Sequence, residues 1–258
     1  MQKDLKKKLS NRERTLGSWL SIGSTVTAEI MANAGYDWLA IDMEHSAITL
    51  DIALEMIRVV DLCGVPPLVR VGHNQPNLIK RVMDCGATGV IVPMVNSAEE
   101  AEQAVASVKY PPRGFRGVGL ARAQRYGYGF DEYKQWVEDS SVVIVQVEHI
   151  QAVNNLEAIL AVDGVDGFIV GPYDLSGSLG VPGQFDHPEV VDALERVLEV
   201  SKQKNALSGF HVIPPEAEAL KVRLDEGYKF VAHSLDFMFL ANGSHKAVAG
   251  ARKVLGDM

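Results

Sequence analysis

Eight short runs rich in Val and Ile, each followed by a longer stretch of helical period, constrain this chain more than any other feature. The runs cover 17–23, 38–44, 67–72, 89–95, 142–148, 167–172, 207–213 and 228–235. Between them, apolar residues recur at spacings of three and four, as in Leu50, Leu54, Ile57 and Val60, or Val190, Leu194, Val197 and Val200. That alternation predicts a parallel sheet with crossover helices. Thr49, Ser97 and Asp131 are expected to cap helices.

Eight strand–helix units can close into a barrel or open into a doubly wound sheet, and periodicity does not separate the two. Polar residues help, because they gather at the C-terminal ends of the runs: Asp42, Glu44 and His45, then Arg70, Glu148, Tyr173 and Asp174. Barrel enzymes build their sites at that end. No Gly-x-Gly-x-x-Gly follows the first run, which weakens a nucleotide-binding reading. The expected fold is a single (β/α)8 TIM barrel over residues 1–258, with an additional helix at each terminus, and 258 residues suit it.

A hydrophobic fraction of 47% supports a large core, and a net charge of −8 argues against nucleic acid or an anionic membrane as partner. A small soluble substrate is favoured. Cys63 and Cys85 each precede a glycine at a predicted helix end and read as buried thiols, in keeping with a cytoplasmic protein. The basic N-terminal segment (Lys3, Lys6, Lys7, Lys8, Arg12, Arg14) lacks the apolar stretch of a secretory signal and predicts a short amphipathic helix. No run approaches a membrane span. One connection, 109–130, is unusually long and carries Arg113, Arg116, Arg122 and Arg125. Long connections are often functional, so an ordered loop at the site mouth is expected.

Strand alternation puts Gln146 and Glu148 on one face of the fifth strand, with Asp174 just beyond the sixth. Two carboxylates on neighbouring strands suit a hard cation such as Mg2+ or Mn2+; the alternative is a plain ion pair between Glu148 and Arg70. His45 can exchange protons near neutrality with a carboxylate beside it, or can simply cap a strand. Arg70 cannot act as a base but can stabilise a developing oxyanion. It can also pair with Glu44.

At these residues the sequence resembles the HpcH/HpaI family of metal-dependent 2-oxo acid aldolases, built on the phosphoenolpyruvate/pyruvate type of barrel. The likeness runs through the segments 34–45, Val69-Arg70, 92–95, 110–119, 146–148 and 164–176. It implies reversible cleavage of a 4-hydroxy-2-oxo acid to pyruvate and an aldehyde, with a Mg2+, Mn2+ or Co2+ ion held by Glu148 and Asp174. The backbone N–H groups of Tyr173 and Asp174 would hold the pyruvate carboxylate, and Gln146 would support the metal. Arg70 would stabilise the enolate, and His45 would transfer protons, oriented by Asp42 or Asp84. A homo-oligomer, commonly a hexamer in which a neighbour's loops close the site, is also implied.

Three places depart from the family pattern: Arg122, Arg125 and Tyr126 in the long connection, His211 on the seventh strand and His233 on the eighth. Arg122, His211 and His233 are therefore expected to bind the acceptor aldehyde, which would be polyhydroxylated or acidic. Lys229, the only lysine inside a predicted strand, sits at the wrong end for a Schiff base. Competing functions are a related lyase acting on an acyl-CoA or phosphoenolpyruvate-derived enolate, and a non-catalytic protein that binds a 2-oxo acid.

Overall fold

The computed structural model describes residues 5–256. Lys3 of the basic segment lies outside the described residues, as do the first four and last two positions of the expected domain. Eight parallel strands close in sequential order: β1 (Thr15–Leu20), β2 (Trp38–Asp42), β3 (Pro67–Arg70), β4 (Gly89–Val92), β5 (Val142–Val147), β6 (Gly167–Val170), β7 (Ser208–Val212) and β8 (Phe230–Leu235), with β8 returning to β1. The alternation thus produces the barrel, not the open sheet. Most strands end earlier than their apolar runs. At β2 the Asp42 carboxylate accepts the N–H groups of Glu44 and His45 and turns the chain, and after β4 Pro93 has no N–H to give to a ladder.

The helices are α1 (Leu5–Ser10), α2 (Thr25–Ala32), α3 (Leu50–Leu62), α4 (Pro76–Asp84), α5 (Ala98–Val108), α6 (Phe130–Ser140), α7 (Ile150–Leu160), α8 (Pro172–Ser178), α9 (Pro188–Gln203), α10 (Ala217–Glu226) and α11 (Asp236–Leu255). Ser97 caps α5 with its side chain. Thr49 stands at the α3 cap position without a side-chain hydrogen bond to the helix, and Asp131 falls inside the first turn of α6, whose cap position is Gly129. Cys63 and Cys85 close α3 and α4 as expected, but both are only half-buried.

Inward-facing residues fill the barrel. Trp38 stacks flat on Phe230 with ring centroids 4.1 Å apart, in one cluster with Leu68, Ile91, Ile144 and Ile169. Gly17 makes room for that stack, since a Cβ there would lie 2.2 Å from the Trp38 ring. The N-terminal helix α1 plugs the bottom of the barrel with Leu5 and Leu9. Lys6 and Lys8 tie it down through Asp166 and Asp37. A second apolar shell lies between the outer strand faces and the helices.

At the other terminus, α11 is anchored at its start. The Asp236 carboxylate accepts the N–H groups of Ser21 and Ile22 after β1, and it is the only buried residue among those described in the helix. Leu240, Val248 and Val254 face solvent.

Leu9→Ala removes a side chain with no exposed surface, so it should lower stability by about 2–5 kcal/mol. Glu102→Ala, on the exposed face of α5, should change it by less than about 0.5 kcal/mol. Urea unfolding of the two variants against the parent checks the plug.

Candidate active site

The C-terminal ends of the strands surround a cavity of about 340 Å3 whose wall includes Asp42, His45, Arg70, Gln146, Tyr173, Asp174 and His211. No lysine lines it. A larger groove of about 720 Å3 lies at the opposite end, against Asp61 and the Gly86–Thr88 approach to β4. Its charged groups are spent on one another, Arg122 with Asp61 and Arg125 with Glu132, so the smaller cavity is the better candidate.

Asp42 and Arg70 stand side by side in the β2–β3 register. Arg70 donates from Nε to Asp42 Oδ1 at 2.9 Å and from Nη2 to Oδ2 at 2.6 Å, a two-point contact between buried groups. The guanidinium lies 4.4 Å from the centroid of the Trp19 ring. Burial works against a charged Asp42, but the bonds and charge of Arg70 and the N–H groups of His45 and Glu44 outweigh it and hold the carboxyl below its ordinary range.

Glu44 follows at 3.4 Å from Arg70 Nε. Its carboxyl is pushed up to about 7, chiefly by burial; Arg70 opposes this, and the negative charges of Asp42 and Asp174 add to it. The His45 ring is exposed, with Nε2 3.7 Å from Glu44 Oε2. Asp42 reaches His45 only through the backbone N–H, so the carboxylate beside the ring is Glu44.

Glu148 lies just past β5 and is buried. Its Oε1 accepts the Met94 N–H at 2.8 Å, and its Oε2 accepts from Gln146 Nε2. It is not paired with Arg70. Burial first, then the charges of Glu44 and Asp174, push its carboxyl up to about 7, against the bonds from Met94 and Gln146. The approach is made possible by Gly171: a Cβ there would stand 2.8 Å from Glu148 Oε2 and 3.3 Å from Gln146 Nε2. Tyr173 and Asp174 occupy the first turn of α8 behind Pro172, where N–H groups have no intrahelical acceptor.

Three carboxylates, Glu44, Glu148 and Asp174, therefore repel one another across this mouth. Gln146 Oε1 is buried with no hydrogen-bond partner. Such a donor set can take a divalent cation through Glu148 and Asp174. Among the described residues no cluster of three or more His, Cys, Asp or Glu is gathered for a metal, so a cation here would keep several positions for water or substrate, as Mg2+ commonly does.

Three expected site residues lie away from the cavity in this chain. Asp84 ends α4 at the bottom of the barrel and pairs with the buried Arg116 at 2.6 Å. Arg122 reaches Asp61 Oδ2 at 2.7 Å and the Cys85 carbonyl at 3.1 Å. The long connection is ordered, with a 3-10 turn at Arg122–Gly127, but it is anchored at the end opposite the cavity. His233 is turned outward because Phe230 and Ala232 face in, and its ring meets Phe239 edge-on at 5.9 Å. His211 does line the cavity. Trp19, Met94 and Gly171 were not anticipated; the Gly-Pro step before Tyr173-Asp174 was the one available signal, since glycine permits close approach.

Residues 15–243 match the family model described as HpcH/HpaI aldolase/citrate lyase. A hydroxypyruvate/pyruvate aldolase of Roseobacter denitrificans is 38% identical over 96% of both chains. A 4-hydroxy-2-oxo-heptane-1,7-dioate aldolase of Salmonella paratyphi B is 40% identical over 93% of this chain and 92% of that one. The crystal structure of a HpcH/HpaI aldolase/citrate lyase family protein from Burkholderia cenocepacia superimposes with a TM-score of 0.90 at 35% identity, covering 96% of this chain and 98% of that one. With the barrel, the strand-end residues and the match over nearly the whole chain in agreement, this protein belongs to the HpcH/HpaI aldolase/citrate lyase family.

Proposed function

We propose that this chain is an aldolase that cleaves a 4-hydroxy-2-oxo acid reversibly to pyruvate, or a close 2-oxo acid, and an aldehyde. The observation that carries the reading is that the Asp42–Arg70 pair and Asp174 line one cavity, with the carboxylates of Glu44 and Glu148 close enough to feel the charge of Asp174. The names of the relatives, pyruvate and 4-hydroxy-2-oxo acid aldolases, point the same way.

Cleavage requires removal of the C4 hydroxyl proton and a sink for the electrons released when the C3–C4 bond breaks. A divalent cation held by Glu148 and Asp174 would polarise the 2-oxo group and neutralise the substrate carboxylate. Arg70, fixed by Asp42, supplies a second positive group for the oxygen on C2 as charge develops there. The N–H groups at the start of α8 receive a carboxylate oxygen. Gln146 holds Glu148 in place. His45 takes the hydroxyl proton, and its exposed ring can turn toward a substrate at the mouth. A Schiff-base route has no lysine in the cavity to use: Lys109, whose pKa burial lowers to about 8, gives its Nζ to carbonyls at the end of α6 instead.

The assembled enzyme is a homo-oligomer in this reading. Phe115, Val118, Leu120, Tyr126 and Tyr128 are exposed along the long connection, and such a stretch marks a contact surface. Asp84 and the loop beside it can approach a His45 only if they belong to a neighbouring copy. Among the described residues no helix is long and apolar enough to cross a membrane.

Glu148→Gln and Asp174→Asn should each abolish cleavage and Mn2+ binding, read by product mass and by titration calorimetry; retained turnover after exhaustive chelation would overturn the metal mechanism. Gly171→Ala should weaken Mn2+ binding by roughly 10- to 100-fold, because it displaces Glu148 and Gln146.

His45→Ala should keep Mn2+ and pyruvate binding and slow cleavage by about 10² to 10⁴. Arg70→Ala should weaken pyruvate binding as well, and it should also lower stability because it strands the buried Asp42. Exchange of the pyruvate methyl protons with solvent, followed by NMR, separates the two; near-normal exchange in both variants would refute the assignment.

A further inference from the structure

His211 projects into the barrel from β7, with its ring edge-on to Trp19 at a centroid distance of 5.4 Å. It forms part of the cavity wall. One ring nitrogen is engaged with the Ser234 backbone. The other, Nε2, is buried and has no hydrogen-bond partner among the described residues.

Burial, reinforced by the positive charge of Arg70, lowers the His211 pKa to about 3, so the ring is neutral at working pH. With its N–H directed to the Ser234 carbonyl, a neutral imidazole presents only a lone pair at the remaining nitrogen. Trp19 Nε1, on the adjoining ring, is likewise buried without a partner, and indole can only donate. The unused acceptor at the cavity wall matches a hydroxyl group, which can donate one hydrogen bond there and receive another elsewhere. A methyl group can do neither. A carboxylate cannot donate to Nε2.

We propose that His211 Nε2 accepts a hydrogen bond from a substrate hydroxyl, so that the site selects α-hydroxy carbonyl compounds. The hydroxyl belongs either to a 3-hydroxy-2-oxo acid in the pyruvate position or to a 2-hydroxyaldehyde as acceptor. His211 is then a specificity residue of the aldolase site, and the inference rests on the aldolase reading above. Arg122 and His233 take no part within the protomer.

The test compares the parent with His211→Leu and His211→Gln in two arms. The donor arm sets hydroxypyruvate against pyruvate with propanal as a common acceptor. The acceptor arm sets glycolaldehyde against acetaldehyde with pyruvate as a common donor. In one arm His211→Leu should lower the ratio of kcat/KM for the hydroxylated over the unhydroxylated compound by on the order of 10- to 100-fold. His211→Gln keeps an acceptor and should recover much of that ratio. The arm that moves identifies the source of the hydroxyl. His211→Met, apolar but adaptable in shape, carries the same comparison if the Leu variant does not fold. Unchanged ratios in both arms would overturn the proposal and leave the aldolase reading standing. Absence of both cleavage and pyruvate exchange in the parent would overturn the reading, and the proposal with it.

Discussion

The two-point contact between Arg70 and Asp42 is the interaction on which the mouth of the barrel depends. Both side chains point inward from paired positions on adjacent strands, and both are buried. Neither could be placed there alone, because an unpartnered charge inside a protein is strongly destabilising. The same Asp42 carboxylate also receives the N–H groups of Glu44 and His45. A single buried anion thus sets the direction of a cation, ends a strand and shapes the turn that carries the exposed histidine.

Opposite this pair, Glu148 is arranged by backbone more than by side chains. Met94 has φ near +51°, a left-handed conformation that is costly for a residue with a side chain, and its N–H points to Glu148 Oε1. Gly171 leaves the space into which the carboxylate fits. The mouth therefore presents the guanidinium of Arg70, held by a buried ion pair, on one side and, on the other, the Glu148 carboxyl, which burial and the nearby charges of Glu44 and Asp174 push up to about 7. A 2-oxo acid, with a carboxylate and a carbonyl on adjacent carbons, matches that division.

The strands and the inward residues near their ends were legible because the period of two is local: Asp42, Arg70, Gln146 and Glu148 follow from counting along their own runs. His211 was legible in the same way. Asp84, Arg122 and His233 stand away from the cavity within this chain, for separate physical reasons. Helices of a barrel run back toward its floor, so a residue at the end of α4 stands far from a residue at the end of β2. The long connection is held by Arg116 and Arg122 to partners distant in sequence, and nothing local reveals such partners. At β8 the register shifts against β1 and Ser234 adopts a left-handed φ of 54°. Simple alternation through Phe230 and Ala232 would still have turned His233 outward. Gly171 and Met94 act through space and backbone geometry, which residue chemistry does not announce.

The exposed α11 has a consequence for the site itself. A helix of 20 residues with a single buried residue receives little from tertiary packing, which is where helices in proteins draw most of their stability. Its order is therefore conditional on whatever covers it. Its first turn contributes Phe237 and Met238 to the cavity wall, so fraying that reaches this turn would open the site to water. The cavity would then lose its outer wall while the closed barrel of strands beneath it stayed intact.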